Sequence, residues 1–212
     1  MLDLYDEFQK LITALNQRQI DYALCGGIAM AIYDHPRATV DIDLLIDSAS
    51  LDELLTLVAK LDYTIRGLDM RFAEGAVEIR RVSKIDGQTG QVLSLDLLLV
   101  TPELQRVWES RVTANWEGGT LSVVSREGLI SLKRKLAVHR TLLTSNYCSE
   151  ILMTRQIDMS AAAVTARLKL ASQLRRLCLS LATARINSPK DVPSQQTVKP
   201  RSTLTPSENS SK

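Results

Sequence analysis

The stretch Gly26-Gly27, followed after a short apolar run by Arg37-Ala38-Thr39-Val40-Asp41-Ile42-Asp43-Leu44-Leu45-Ile46, decides the fold. Tyr22-Ala23-Leu24-Cys25 reads as a short strand that stops at the glycine pair. Ile28-Ala29-Met30-Ala31-Ile32 reads as a helix running toward His35-Pro36. Asp41 to Ile46 reads as a strand whose polar and apolar residues alternate at its start. Side chains alternate faces along a strand, so Asp41 and Asp43 share one face while Ile42 points into the core. Two carboxylates that close repel each other unless a cation sits between them, and a hard divalent ion such as Mg²⁺ takes oxygen ligands.

A third carboxylate stands at Asp96, inside Leu93-Ser94-Leu95-Asp96-Leu97-Leu98-Leu99. An ionised Asp in so apolar a strand is costly to bury unless it is paired or bound to metal. Three carboxylates on neighbouring strands therefore suit a two-metal site. Gly26-Gly27, between a strand and a helix, offers bare backbone N–H groups and close approach to a phosphate. Arg37 and, on a later helix, Lys133 are cations placed to neutralise phosphate oxygens. These are parts for phosphoryl or nucleotidyl transfer.

Each part also has a plainer reading. Gly26-Gly27 can be an ordinary turn, Asp43 a surface carboxylate, and Arg37 a partner for Asp34 or Asp41. Lys133-Arg134-Lys135 can be a solvated helix end. His35 and His139, the two histidines, lack a partner pattern for nucleophilic catalysis. Cys25 reads as a small hydrophobe in a core strand. Asp96 has the poorest plain reading, because its apolar neighbours leave it little water.

Outward from this centre, Leu4, Phe8, Leu11, Ile12 and Leu15 make an amphipathic first helix. Ser50 with Glu53 signals a capping box for a helix over 51–61. Val77–Ile85 and residues 92–100 flank Asp86-Gly87-Gln88-Thr89-Gly90 as a hairpin. A short helix opens at Thr101-Pro102-Glu103, Val112–Trp116 pairs with 120–124, and Ser125 starts another helix. Ser160 caps a long helix with Val164, Leu168, Ala171, Leu174, Leu177 and Leu181 on one stripe. From Asn187 onward Ser, Pro, Thr and Lys dominate, which predicts a disordered tail.

Of the 212 residues, 45% are hydrophobic and 24% charged, which excludes wholly disordered, collagen-like and disulfide-stapled classes. No run approaches the roughly 18 apolar residues of a membrane span. The acidic start Met1-Leu2-Asp3-Leu4-Tyr5-Asp6-Glu7 lacks the basic region of a secretory signal. With three scattered cysteines (Cys25, Cys148, Cys178), the expectation is a cytoplasmic protein with reduced thiols. An aromatic content of 4% argues against a binder of single strands by base stacking. Residues 1–128 carry 12 basic and 20 acidic side chains, whereas 129–184 carry 9 and 2. That asymmetry fits a cation site facing a phosphate-binding surface, or two solvated faces without a partner.

The arrangement resembles the nucleotidyltransferase superfamily of polymerase-beta-like enzymes, and most closely the AbiEii-like abortive-infection nucleotidyltransferase toxins. The matching positions are Gly26, Gly27, Arg37, Thr39, Asp41, Asp43, Asp96 and Lys133, and the resemblance covers residues from about 4 to 136. It implies an α/β fold with a mixed β-sheet flanked by helices, here followed by a C-terminal helix and the tail. It also implies Mg²⁺-dependent transfer of NMP from an NTP to a nucleic-acid (tRNA-like) or protein acceptor, in a toxin–antitoxin or phage-defence setting with a possible cognate antitoxin or toxin. Asp41, Asp43 and Asp96 would be catalytic and metal-binding; Gly26, Gly27, Arg37, Thr39 and Lys133 would bind the nucleotide.

The expected organisation is a nucleotidyltransferase core over 1–136, a helical extension over 137–184 and a disordered tail over 185–212. After Leu136 the family pattern breaks: Val138-His139-Arg140-Thr141-Leu142-Leu143-Thr144-Ser145 has no helical stripe. Codons for Ala137 to Ile151 can be chosen so that a neighbouring frame restores the family segment, so 137–154 reads as out of frame through two compensating shifts. An altered segment there leaves room for a non-catalytic or degenerate nucleotide- or partner-binding module. A third reading transfers the nucleotide to a small hydroxylated molecule.

Overall fold

In the computed structural model, which describes residues 2–136 and 156–183, the Asp41–Ile46 strand lies at the heart of a mixed sheet. In chain order the strands are β1 (Ala23–Leu24), β2 (Asp41–Ile46), β3 (Ile65–Arg66), β4 (Met70–Phe72), β5 (Val77–Ile85), β6 (Val92–Leu99), β7 (Val112–Trp116) and β8 (Gly119–Val123). The helices are α1 (Leu4–Arg18), α2 (Gly26–Ile32), α3 (Leu51–Ala59), α4 (Gln105–Glu109), α5 (Arg126–Leu136) and α6 (Ala161–Thr183). The sheet runs β3-β5-β6-β2-β1-β8-β7, and β4 adds to β5. The β2–β6 and β1–β8 pairs are parallel and the others antiparallel, so the fold is α/β with a mixed sheet flanked by helices. The proposed out-of-frame segment 137–154, with His139 and Cys148, and the tail 185–212 lie outside the described residues.

Burial explains why β2 is central. Ile42, Leu44, Leu45 and Ile46 are wholly buried, as are Leu93, Leu95 and Leu97 on β6. Each such side chain contributes roughly 1.5–3 kcal/mol relative to exposure, enough to hold polar neighbours in place. On the opposite side from Asp41 and Asp43, α1 packs its Leu4, Phe8, Leu11, Ile12 and Leu15 row into the core. Its N-terminus is capped by Asp3, whose carboxylate accepts from the Tyr5 and Asp6 N–H groups.

Four local expectations change. Ser50 makes no capping hydrogen bond; Asp47 instead accepts from Ala49 N at 2.9 Å and starts a 3₁₀ turn ahead of α3. The helix stops at Ala59, two residues short of the expected end. Strands β3 and β4 have no counterpart in the sequence pattern, because two or three residues carry no measurable period. On α6, Ser160 Oγ does accept from Ala163 N, and Val164, Leu168 and Ala171 are buried. Leu177 and Leu181, however, are exposed, and the side chain that goes inward on the last turns is Arg175, 1% exposed. Its Nη1 donates to Leu2 O and its Nη2 to Val92 O, both at 3.0 Å, fastening α6 to the chain start and to β6.

Candidate active site

The register of the central strands builds the site. Asp43 on β2 stands opposite Asp96 on β6, and Asp96 stands opposite Arg81 on β5. The three therefore form a row across the sheet, one strand spacing apart. Asp41 lies two residues along β2 on the same face, beside Ser94. One carboxylate oxygen from each of Asp41, Asp43 and Asp96 lies within 4.8 Å of the others. Asp96 is 4% exposed; Asp41 and Asp43 are half-buried.

Burial pushes the Asp43 carboxyl up to about 7, and the charges of Asp41 and Asp96 add to the rise. A hydrogen bond from the Gly27 N–H and the charge of Arg37 pull the other way. A cation between the three carboxylates would relieve this crowding of like charges. An all-oxygen donor set at this spacing fits a hard divalent ion. Among the described residues it is the one such cluster of acidic, His or Cys side chains.

The glycine pair has a tight steric reason. Gly26 sits at φ +59°, in the left-handed region, and a Cβ there would overlap the Asp43 carboxylate. A Cβ on Gly27 would come 2.5 Å from Thr39 Oγ1. The start of α2 is thus pressed against β2, and α2 begins at Gly26 itself, two residues earlier than the apolar run. Thr39, 4% exposed, directs its hydroxyl to Asp41 Oδ1 at 2.9 Å. Cys25, directly behind the trio, donates its backbone N–H to Asp43 O at 3.0 Å. Burial, then Asp43, Asp96 and Asp41, push its thiol far up, which matches a small hydrophobe rather than a nucleophile.

Of the sequence candidates, the structure thus brings Gly26, Gly27, Thr39, Asp41, Asp43 and Asp96 together, with the exposed Arg37 close enough to act on Asp43 by charge. Lys133 is half-buried on α5 and, among the described residues, forms no ion pair with the trio. One residue was missed. Arg81 donates from Nε to Asp96 Oδ1 and from Nη2 to Asp96 Oδ2, at 2.6 Å each, and its Nη2 lies 3.9 Å from Asp41 Oδ2. The signal was present: once Ile85 is paired with Val92 across the hairpin turn, Arg81 falls opposite Asp96.

The four basic side chains of α6 are engaged within the fold. Beside Arg175, Lys169 pairs with Glu117 at 2.9 Å, Arg176 with Asp3 at 3.7 Å, and Arg167 donates to Asp158 O at 2.8 Å. On α5, Lys133, Arg134 and Lys135 form no ion pair among the described residues. No described helix is long and apolar enough to cross a membrane.

No family model and no curated protein matches the chain. Among solved structures it is similar to ANT(2″)-Ia in complex with adenylyl-2″-tobramycin, at 16% identity over 81% of this chain and 98% of that one, TM-score 0.49. It is similar to TM1012 of Thermotoga maritima, a candidate nucleotidyltransferase, at 15% identity over 68% and 91%, TM-score 0.46. A third likeness is to the lincomycin-bound lincosamide antibiotic adenylyltransferase LnuA, at 11% identity over 70% and 96%, TM-score 0.43. Two of the three, TM1012 and LnuA, carry nucleotidyltransferase or adenylyltransferase names. What bears on function is this chain's own carboxylates.

Proposed function

We propose that the chain is a metal-dependent nucleotidyltransferase that moves NMP from an NTP to an acceptor hydroxyl. The observation that carries this reading is the carboxylate trio held on adjacent central strands, with the glycine start of α2 pressed against it. In this reaction the acceptor oxygen bonds to the α-phosphorus, the bond to the β-phosphate breaks, pyrophosphate leaves and the hydroxyl proton passes to the carboxylate trio. Bound Mg²⁺ would supply charge stabilisation for the in-line displacement. Asp41 and Asp43 would hold it and Asp96 would complete the site. Thr39 orients Asp41 through its hydroxyl. Gly26 and Gly27 leave room for close backbone approach, and Arg37 lends a cation to the phosphates. The resemblance gives Lys133 the same part.

For the acceptor, the resemblance points to a nucleic acid or protein, in a toxin–antitoxin or phage-defence role. Lys133, Arg134 and Lys135 of α5, which form no ion pair among the described residues, support that reading. A second reading, a small hydroxylated acceptor, is favoured by the engagement of the α6 cations within the fold, which leaves less surface for a polyanion. The test offers each of four α-labelled NTPs with Mg²⁺, total RNA, lysate protein or small polyols as acceptors. Label transferred by the wild type and absent with Asp41→Ala/Asp43→Ala is the expected result, and the labelled species identifies the acceptor class. A folded wild type that transfers no label would overturn the proposal in favour of a binding module, and a double variant that still transfers it would overturn the part given to Asp41 and Asp43.

A further inference from the structure

The Arg81 fork changes how many cations the trio needs. It occupies both oxygens of Asp96 in a bidentate pair, the geometry in which arginine binds carboxylate most strongly. Asp96 is 4% exposed, so water is a poor competitor for those oxygens. Arg81 is also built into place. Its Cβ and Cγ would lie 3.1 and 3.2 Å from a Cβ on Gly67, so a side chain there would crowd the stem. The Gly67 N–H in turn donates to Arg81 O at 2.9 Å. The reach of Nη2 toward Asp41 puts the positive charge within the trio rather than at its edge.

Among the described residues, Asp41 and Asp43 have no comparable partner. Asp41 accepts from the Thr39 hydroxyl, and Asp43 from the Gly27 N–H, which leaves lone pairs on both for an ion. One divalent ion together with the guanidinium neutralises three carboxylates. Two divalent ions beside the guanidinium would leave the site net positive before any nucleotide entered.

We infer that, in the absence of nucleotide, the site takes a single divalent ion, between Asp41 and Asp43, and that the Arg81 guanidinium on Asp96 stands where a second ion would bind. Arg81 is then a positioning residue that keeps Asp96 oriented toward the trio. This rests on the transfer reading and corrects its two-metal expectation.

The test is a titration of the full chain with Mn²⁺ alone, without nucleotide, following free Mn²⁺ by electron paramagnetic resonance and heat by calorimetry. The wild type is expected to saturate at one ion per chain, and Asp41→Ala/Asp43→Ala to lose it. Arg81→Met, which frees Asp96, is expected to take two, while Arg81→Lys, which keeps the charge, stays at one. Two ions in the wild type overturn the inference and leave the transfer reading standing. A single ion in a natively folded Arg81→Met overturns it as well. No ion bound by the wild type overturns both. The wild-type count decides the matter even where Arg81→Met fails to fold.

Discussion

Thr39 Oγ1 lies 2.9 Å from Asp41 Oδ1, and the same hydroxyl faces the start of α2 at Gly27. One small side chain thus seats the helix and aims a metal-facing carboxylate. Thr39→Val keeps the shape and removes the donor. It should weaken Mn²⁺ binding about 10–100-fold and cost about 1 kcal/mol of stability, while Thr39→Ser retains most of both. Mn²⁺ titration and urea unfolding measure the two effects, and unchanged affinity in the valine variant would show that Asp41 is held by other means.

Gly26→Ala meets two obstacles, a left-handed backbone and the Asp43 carboxylate in the space of the new Cβ. The backbone alone costs on the order of 1–3 kcal/mol, and the overlap adds to it by displacing Asp43. Urea unfolding should show the loss, and transfer should fall with it. Ala at Gly87, where a Cβ meets nothing within 4 Å, is the control expected to be nearly neutral.

Asp43→Asn should separate stability from chemistry. Burial and the neighbouring Asp41 and Asp96 charges raise the native carboxyl to about 7, so the folded state holds this proton more tightly than the unfolded state does. The metal-free wild type therefore loses stability as pH rises from about 4 toward 7. Without metal, the Asn variant should be more stable than wild type at pH 8 by roughly 1–3 kcal/mol. The advantage should vanish near pH 4, where Asp43 is protonated, and transfer should be lost throughout. Thermal unfolding in chelator across that range is the measurement.

A second titrating group has the opposite sign. Burial raises the Glu7 carboxyl, but hydrogen bonds from Lys10 and Lys84, both at 2.8 Å, outweigh it and leave the group below the usual carboxylate range. Its stabilisation is complete above the ordinary carboxylate value and is lost as pH falls through the lowered native one. Glu7→Gln leaves the Lys84 ammonium, with a side chain 14% exposed, short of its main partner. It should cost about 3 kcal/mol at pH 7, with the gap to wild type narrowing below pH 4 in urea titrations.

The parts of this fold that were legible in the sequence are those with a long period or a chemical anomaly. The α1 row of Leu4, Phe8, Leu11, Ile12 and Leu15, the Asp41–Ile46 strand and the lone Asp96 among leucines all stand out in this way. Asp47 took the capping place of Ser50 because an Asx turn three residues earlier competes for the same backbone. Arg81 was hidden because its importance lies in strand register, a property of two segments together. The outward turn of Leu177 and Leu181 has a similar cause: the inward place near the end of α6 went to Arg175, whose donors answer carbonyls that no local pattern reveals.

Arg175 gives the last prediction. Arg175→Met keeps much of the apolar stem and leaves Leu2 O and Val92 O without this donor. Loss of two charge-assisted hydrogen bonds should cost about 2–4 kcal/mol. In limited proteolysis, cleavage within α6 should precede cleavage of the sheet. A variant as stable and as resistant as wild type would show that α6 is held by its apolar row alone.

The tie between the two ends of the described fold also bears on how the chain is made. Ser172 donates to the Asp3 cap at 3.1 Å and Arg175 to Leu2 O, contacts that span more than 160 residues. On the ribosome, α1 emerges long before Val164, Leu168 and Ala171 of its neighbour α6. Contacts of such sequence separation close late and slowly. Until α6 is made, the nascent protein therefore carries the apolar row of α1 without its final cover, and α6 completes the seam that α1 opened.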